Sequence, residues 1–486
     1  MRSTRLTRAV PLAVLASLAL PSLALAQDDA LNVNQQLPTT MGELNTLWII
    51  IGACLVFFMQ AGFAFLEIGF SRGKNAGMGI AKILVNFSFA AIAYWAVGFA
   101  LAFGGDGALF GDSGWLFQFG REVAGESADG AQTGFFIFQF MFAAVSLAIV
   151  WGTTLERMKF AAYVPFAIVF AGVIYPLVSH WAWGAGWLAE FGDGVQDFAG
   201  SSIVHLPGAT AALAALVFLG PRKSKYGPDG KPRAIPGHNM PLFGLGVLIL
   251  WLGWFGFNGA STLGTTDGRF AEVVAVTNLG AAGGVIGAFL AAMVVLKTMD
   301  VGMIGNGAIA GLVAITAPSG YVEFWAAPII GCIGGLIVVG GVLMFDRLRL
   351  DDPVGALSAH GLAGIWGTLA CGLFTSTRLA ETNGIGTEGL FYGGGLSQLW
   401  TQIVAVVVIF AFVFTASSLV FLAIKATIGL RVADEDEIAG LDISEHGMYG
   451  YPEQFIPQSE LEGYGAASTA GRAPAPAYST QEVPAT

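Results

Sequence analysis

The stretch DFAGSSIVHLPGATAAL, residues 197–213, places His205 in a segment that is otherwise apolar enough for lipid. A polar side chain inside a membrane needs a partner and by default marks a functional site. The alternative is a structural histidine that bonds to a backbone carbonyl. Asp197 begins the stretch, where a carboxylate can cap the free N–H groups of a helix. A cation-binding role for Asp197 is the second interpretation.

A second stretch, DDPVGALSAHGLAGIW at residues 351–366, repeats this pattern. Asp352 stands eight positions before His360, the same spacing that separates Asp197 from His205. We therefore interpret Asp352 as an equivalent helix start. Two histidines at matched positions favour one shared role over two unrelated structural roles. We expect them to lie together in a pore, where two neutral imidazoles can share one proton.

The composition is that of a membrane protein. Of 486 residues, 55% are hydrophobic and 11% are charged, against about 25% charged in soluble domains. The net charge of −11 gives no reason to expect nucleic-acid binding. No third His, Cys or carboxylate has metal-ligand spacing, and no nucleophile-and-base set or cofactor fingerprint is found. We therefore expect neither a metal nor another cofactor, and no enzyme activity.

Apolar segments of about 20 residues, the length that spans a bilayer, recur along the chain. They fall near residues 45–70, 80–103, 134–155, 160–180, 200–219, 241–262, 272–297, 302–317, 322–345, 357–376 and 395–428. This pattern predicts an all-α polytopic membrane protein with eleven transmembrane helices. Basic residues cluster after odd-numbered segments, which predicts an outside N-terminus and a cytoplasmic C-terminus. The matched segments are the fifth and the tenth, as a five-plus-five inverted repeat requires.

The two ends of the chain differ from its middle. Residues 1–26 have the pattern of a signal peptide, with arginines before an apolar run that ends in ALA; an uncleaved anchor helix is the alternative. Residues 27–430 are the predicted transmembrane domain and 431–465 an acidic cytoplasmic tail. Residues 466–486 are a predicted disordered extension, rich in Ala, Pro, Ser and Thr. A signal peptide with this charge bias predicts a multi-pass protein of a bacterial inner membrane.

Three segments rich in aromatic residues, FQFMFAAV, WAWGAGW and GWFGFNGAS, lie in or near predicted helices. Aromatic side chains there usually face lipid or the interface. Near a pore mouth, a Trp and a Phe can instead form a cation–π site, and Ser261 could add a hydroxyl acceptor. Glu67 is an unusual acid within the first helix. We expect it to be hydrogen-bonded near the cytoplasmic end, close to Arg72.

Several segments together carry a family resemblance. FLEIGFSRGKN, DFAGSSIVH, GWFGFNGAS, DDPVGALSAHG and the tail GLRVADEDEIAGLD resemble the ammonium transporter family, whose relatives include the Rhesus glycoproteins. The similarity runs from the first helix to about Gly447. It implies a homotrimer in lipid, with one pore per subunit, that carries ammonium or ammonia and accepts methylammonium as an analogue.

The resemblance also implies roles for individual residues. These are outer recruitment of ammonium by Phe142, Trp183 and Ser261, a stacked gate of Phe142 and Phe257, a pore lined by His205 and His360, and supporting places for Asp197 and Trp254. The tail from Gly429 to His446 resembles the segment that couples subunits and meets PII-type nitrogen-signal trimers. This chain departs from many members at Gly355, where they carry a second acid, and in its extension to Thr486.

Selectivity can be predicted from the chemistry of the cargo. Ammonium and potassium have equal charge and similar size, but only ammonium can lose a proton. An unpaired ion in an apolar pore has an idealised Born cost of order 20 kcal/mol, most of which neutral ammonia avoids. We predict that ammonium is deprotonated and crosses as ammonia beside the histidines; whether the proton follows through them stays open. The alternatives are an ammonium sensor of the same fold, which signals through its tail, and a Rhesus-like channel for neutral gas.

Overall fold

The structure, a computed structural model, describes residues 41–456, which are mostly helical. The predicted signal peptide and the predicted C-terminal extension lie outside the described residues. Within the described part, the only strands form a two-stranded antiparallel hairpin, Glu122–Val123 with Glu126–Ser127. This hairpin lies in the loop between the second and third long helices.

Ten helices of the described part are long and apolar enough to cross a membrane. With a shorter apolar helix as α8, and with their π and 3-10 turns included, the bounds are α1 Gly42–Phe70, α2 Gly73–Phe103, α3 Gly130–Gly152, α4 Phe160–Glu190, α5 Ser201–Leu219, α6 Met240–Thr262, α7 Arg269–Val295, α8 Val301–Thr316, α9 Ala326–Arg347, α10 Leu357–Phe374 and α11 Ser397–Thr427. The predicted all-α polytopic fold is confirmed. The count of eleven spans stays a prediction, because α8 has 16 residues and a span needs about 20.

The helices approach closely where glycines face one another. α1 lies along α6, and α7 packs against both α8 and α9. A Cβ atom added at Gly246 of α6 would lie 2.7 Å from the carbonyl oxygen of Gly62 in α1. A Cβ atom at Gly311 of α8 would lie 2.6 Å from the carbonyl oxygen of Gly280 in α7. These contacts exclude any larger side chain, as in membrane helices that associate through small residues.

Large apolar side chains cover the outside of the helices. Those most exposed on the long helices include Leu84, Ile92, Leu248, Val294 and Leu419, each more than 60% exposed. A soluble monomer rarely exposes so much contiguous apolar surface. The outer surface therefore suits contact with lipid or with other membrane helices.

Beyond α11 the chain folds back onto the ends of earlier helices. It forms three short helices, α12 Asp434–Ala439, α13 Leu441–His446 and α14 Pro452–Phe455. The Asp442 carboxylate accepts hydrogen bonds from the backbone N–H groups of Gly77 and Met78 at 3.0 and 2.9 Å. This contact caps the start of α2, which begins at Gly73 rather than near residue 80 as predicted.

Candidate functional site

His205 and His360 face each other among the buried helices. Their Nδ1 atoms are 3.2 Å apart, and their ring centroids are 5.2 Å apart with the planes 26° from parallel. His205 is fully buried and His360 is 5% exposed. At this distance one Nδ1 donates and the other accepts, so two neutral rings share a proton. The pair therefore offers hydrogen-bonding atoms without a formal charge.

Each histidine lies in a π turn at the start of its helix. The π turn Ser201–His205 opens α5, and the π turn Leu357–Leu362 opens α10. Such turns are rare in proteins and are frequent at functional sites. The wider turn changes the direction in which the side chains after it leave the helix, and here both imidazoles point toward the same contact.

The aspartates before the histidines cap these turns. Asp197 accepts hydrogen bonds from the backbone N–H groups of Gly200, Ser201, Ser202 and Ile203 and from the Ser202 hydroxyl. Asp352 accepts hydrogen bonds from the backbone N–H groups of Val354, Gly355 and Leu357. Both oxygens of Asp197 are used in this way, which favours capping over cation binding.

A glycine follows each capping aspartate by three positions. Gly200 has a φ of 120° and Gly355 a φ of 77°, a region that side chains with a Cβ rarely adopt. The two histidine segments therefore share an aspartate cap, a positive-φ glycine and a π turn. This local correspondence agrees with the predicted repeat, and it explains Gly355, which departs from many members of the family that the sequence resembles.

Two phenyl rings are stacked next to His205. Phe142 of α3 and Phe257 of α6 are stacked with centroids 4.0 Å apart and planes 20° from parallel. The Phe257 centroid is 5.5 Å from that of His205. Trp254 also stacks on His205, with 5.2 Å between centroids, and lies 5.9 Å from Phe257. Its indole N–H donates to the Thr316 hydroxyl at 2.8 Å. The histidine pair is thus held by aromatic rings on its outer side.

A cavity of about 380 Å³ lies on the far side of the phenyl stack. Phe142, Trp183, Ser261 and Asp197 all contribute to its lining. The Trp183 indole N–H donates to the carbonyl oxygen of Asp197 at 2.8 Å, which fixes the ring. The Ser261 hydroxyl donates to the carbonyl oxygen of Phe257 at 2.7 Å, so its own oxygen is left to accept. The structure brings the predicted recruitment residues together around one cavity.

A second, much smaller cavity lies beyond His360. It measures about 20 Å³, and about 10–15 Å³ is enough to hold one water. Its lining is apolar except for the side chains of Glu67, Asn306 and His360. Phe142 lines the outer cavity and His360 lines this one, and the stacked phenyl rings and the histidine pair are in contact through Phe257 and His205.

Comparison with known proteins identifies the family to which this chain belongs. The profile of the Ammonium Transporter Family matches residues 47–451. This chain belongs to the ammonium transporter family. The resemblance drawn from the motifs is thereby confirmed.

Relatives in this family cover most of the chain. Ammonium transporter Amt2 of Archaeoglobus fulgidus is 42% identical over 444 residues, which are 89% of this chain and 92% of the relative. The ammonium transporter of Bacillus subtilis is 35% identical over 414 residues, 85% of this chain and 98% of the relative. Multi-pass insertion in a membrane follows from this membership and from the helices described above.

Solved structures of the family have the same fold. A structure named Sensor Amt Protein matches 83% of this chain and 98% of its own, with a TM-score of 0.76 and 35% identity. The crystal structure of Candida albicans Mep2 matches 86% of this chain and 92% of its own, with a TM-score of 0.74 and 28% identity.

Glu67 is hydrogen-bonded as expected, and its partner is Lys82 of α2. Arg72, near which Glu67 was expected, binds Glu156, with 2.7 Å between Nη2 and Oε2. Sequence reasoning missed Lys82, although a lysine in the apolar second segment is itself an unusual residue for a membrane helix.

A second missed residue is Arg269, which lines the outer cavity. Its guanidinium donates to the Asn383 side-chain oxygen at 3.1 Å and to the carbonyl oxygen of Gly320 at 3.0 Å. It also lies over the Phe198 ring, 5.7 Å from the centroid. These partners hold the Arg269 guanidinium against the wall of the cavity.

A buried charge network ties together the loops after α3, α5 and α9. Arg222 binds Asp351 with both ends of its guanidinium, at 2.9 Å each. Arg157 is fully buried and donates to the carbonyl oxygen of Asp351 at 2.8 Å. Burial acts to raise the pKa of the Asp351 carboxyl, but Arg222 and Arg157 lower that pKa well below its ordinary range. Asp351 is therefore held as a carboxylate.

No group of three or more His, Cys, Asp or Glu side chains within residues 41–456 is arranged to hold a metal ion. The histidine pair has no carboxylate or thiolate among its hydrogen-bond partners. The chemistry available at the site is thus hydrogen bonding and proton exchange by imidazole.

Proposed function

We propose that this chain transports ammonium across the membrane by carrying it as ammonia. Ammonium collects in the outer cavity, loses a proton, and ammonia passes the phenyl stack and the histidine pair to the inner cavity. The observation that supports this proposal is the 3.2 Å contact between the His205 and His360 imidazoles beside the stacked phenyl rings. A cation there would lack a counter-charge, whereas ammonia can exchange hydrogen bonds with the free ring nitrogens.

The outer cavity supports recruitment of a cation. Phe142 and Trp183 present ring faces, and a cation–π contact contributes about 0.5–2 kcal/mol or more. The Ser261 oxygen adds an acceptor for an ammonium N–H. Arg269 in the same lining is bound to Asn383 and Gly320, so its charge is partly satisfied where it lies.

The histidine contact also supports a route for the released proton. With Nδ1 atoms 3.2 Å apart, a proton accepted by one ring can displace the shared one toward the other. Imidazole is suited to this because its ordinary pKa, about 6.5, is close to neutrality. Transport then moves charge, although the ammonia itself is neutral.

We also propose a location, an orientation and an assembly for the protein, based on the sequence predictions. We place it in a bacterial inner membrane with the N-terminus outside and the C-terminus in the cytoplasm. Exposed apolar side chains on the long helices fit lipid and two further copies in a homotrimer. The folded tail offers a contact for a PII-type partner. The protein acts in transport, without enzyme activity or a cofactor.

An ammonium sensor of the same fold is the second candidate. Two observations favour it: the similarity to the structure named Sensor Amt Protein, and the tail that binds the start of α2 through Asp442. Rapid methylammonium uptake by proteoliposomes supports transport, whereas ligand binding without uptake supports sensing. A Rhesus-like gas channel is disfavoured, because a neutral gas needs no cavity lined with ring faces for a cation.

A charged residue in place of a histidine tests the neutral pore. We compare ammonium and potassium currents of wild-type, His205→Asp and His360→Asp proteoliposomes. A counter-charge about 4 Å from a cation contributes about 4 kcal/mol at an effective dielectric of 20, so discrimination against potassium should fall at least about tenfold. His238→Gln, outside the path, is the control. Full retention of selectivity in both aspartate variants contradicts the proposal.

A further inference from the structure

Glu67 and Lys82 form an ion pair inside the membrane-spanning part of the protein. Glu67 lies in α1 and Lys82 in α2, and their side chains are 2% and 0% exposed. Lys82 Nζ contacts Glu67 Oε2. No other side chain in the described part of the chain donates to this carboxylate.

Stability alone does not explain such a pair. Removing two charges from water costs several kcal/mol for each ion, and well-packed apolar residues are often equally stable or more stable. Ionisable residues within membrane helices are accordingly rare and tend to mark pathways for ions or protons. The position of the pair relative to the path is therefore the question.

The carboxylate faces the inner cavity beyond His360. Glu67 and His360 both line this cavity, and of its lining residues only these two have ionisable side chains. Oε2 of Glu67 is bound to Lys82, but Oε1 has no donor among residues 41–456. Gly152, which also lines this cavity, lies beside this oxygen: a Cβ atom there would be 3.4 Å from Oε1, in ordinary van der Waals contact.

The histidine presents a matching atom. Nδ1 of His360 is bound to His205, and Nε2 has no partner in the described chain. His360 is the more exposed of the two rings, at 5%. A cavity of about 20 Å³ accommodates one water, which can accept from a ring N–H and donate to a carboxylate oxygen. Glu67 thus lies where a proton would leave the pair.

We propose that Glu67 is the proton acceptor on the inner side of the histidine pair, and that Lys82 positions it and balances its charge. This inference rests on the proposed transport function. Ammonium gives one proton to the neutral pair, which leaves ammonia and a protonated pair. The protonated pair breaks an Nε2–H bond at His360, and through water an O–H bond forms at Glu67. Glu67 then returns that proton to ammonia, so ammonium leaves and both groups are restored.

Exchange of the two charged residues separates this role from a structural one. Glu67→Lys combined with Lys82→Glu keeps an ion pair but moves the carboxylate from α1 to α2. Glu67→Gln combined with Lys82→Met removes both charges without leaving one unpaired. The control is the exposed pair of Lys223 and Asp434, 2.5 Å apart, exchanged in the same way.

Two signals are measured on the same proteoliposomes: the current evoked by an ammonium pulse, and the internal alkalinisation caused by ammonia. A positioned proton acceptor contributes about 10²–10⁴-fold to a proton-transfer step, so the ratio of current to alkalinisation should fall about 100-fold in both double variants. The single variant Glu67→Asp, which keeps a carboxylate on α1, should retain part of the wild-type ratio of current to alkalinisation. The exchanged surface pair should behave as wild type.

The outcomes are distinct. A wild-type ratio in the exchanged Glu67–Lys82 variant shows that the pair is structural and overturns the inference. Loss of both signals in proportion, in variants that remain folded by size-exclusion chromatography, also overturns it. If the wild-type protein gives alkalinisation but no current, proton transfer is refuted and ammonia conduction is not. If the wild-type protein gives neither signal, the proposed transport function itself is refuted.

Discussion

Trp183 combines two roles in one side chain. Its ring lines the outer cavity, and its indole N–H holds the carbonyl of Asp197 at 2.8 Å. A simple truncation would remove both interactions at once. Comparison of Trp183→Phe with Trp183→Leu isolates the ring, because both variants lack the N–H and only one keeps an aromatic face.

We predict weaker ammonium binding in Trp183→Leu than in Trp183→Phe. A cation–π contribution of about 0.5–2 kcal/mol corresponds to about 2- to 30-fold in apparent affinity. The concentration dependence of methylammonium uptake gives this value, and Phe119→Ala, an exposed ring in the loop after α2, is the control. Equal affinities in the two Trp183 variants remove the ring from the recruitment site.

Single side chains were predicted well where their type is unusual for lipid. His205 and His360 were expected to meet in a pore, and they lie in contact. The recruitment residues Phe142, Trp183 and Ser261 were assigned through the family resemblance, and they line one cavity. The partner of Glu67 was not predicted, because Arg72 is near in sequence whereas Lys82 is near only after α1 and α2 pack together.

The capping aspartates fix the start of α5 and α10. Asp197 and Asp352 each satisfy several N–H groups that would otherwise be buried without acceptors. An asparagine in either place replaces one carboxylate oxygen by an NH₂ group, which cannot accept. Each buried N–H left unsatisfied costs about 1–3 kcal/mol.

We therefore predict that Asp197→Asn lowers the thermal unfolding midpoint more than Asp352→Asn does, since Asp197 has more donors. The matched control is Asp300→Asn at the exposed start of α8, where one N–H group, that of Met303, is bound. Asparagine is itself a good cap there, so a small effect is expected. Unfolding of purified protein in detergent, followed by tryptophan fluorescence, measures all three. A shift for Asp197→Asn no larger than the control contradicts the capping account.

The helical class of the fold and the places of the long helices along the chain were predictable, but their details were not. Hydropathy located every long helix because spans of apolar residues are a strong signal. The π turns at the two histidines have no such signature. The early start of α2 depends on Asp442, more than 350 positions away in the chain, and no local pattern reports a contact of that kind.

Considered across the entire chain, the buried charges at the loops after α3, α5 and α9 tie stability to pH. The pKa of Asp351 is lower in the folded state than its ordinary value, about 3.9 in the unfolded chain. A group with a depressed folded pKa stabilises the fold fully above the unfolded pKa. That contribution is lost as pH falls below about 3.9. Burial acts to raise the pKa of Glu156, but Arg222 and Arg72 outweigh this effect and lower it. Glu156 therefore also loses its stabilising contribution in acid.

We predict that thermal stability falls progressively as the pH drops below about 4. Asp351→Asn should cost about 3–5 kcal/mol at neutral pH, as expected when buried Arg157 and Arg222 lose their partner. The variant should also show a shallower decline in acid, because one titrating group is gone. Parallel declines in wild type and variant would assign the acid sensitivity to other carboxylates.

The tail shows what sequence alone could and could not give. Its acidic composition and its place after α11 were predicted. Its docking was not predicted, because it depends on partners that only the folded chain brings near. Asp442 and Leu441 bind the start of α2, and Glu437 binds the loop after α5. The resemblance implies a regulatory role for this segment, and the segment contacts the start of α2.

The stacked rings of Phe142 and Phe257, 4.0 Å apart, have a consequence for solvent. A seal of two phenyl faces leaves no continuous file of water from one side to the other. In the proposed transport, the rings must swing apart for each passing molecule, so the transport rate should rise steeply with temperature. Osmotic shock of the same vesicles should then reveal little more water leakage than bare lipid shows.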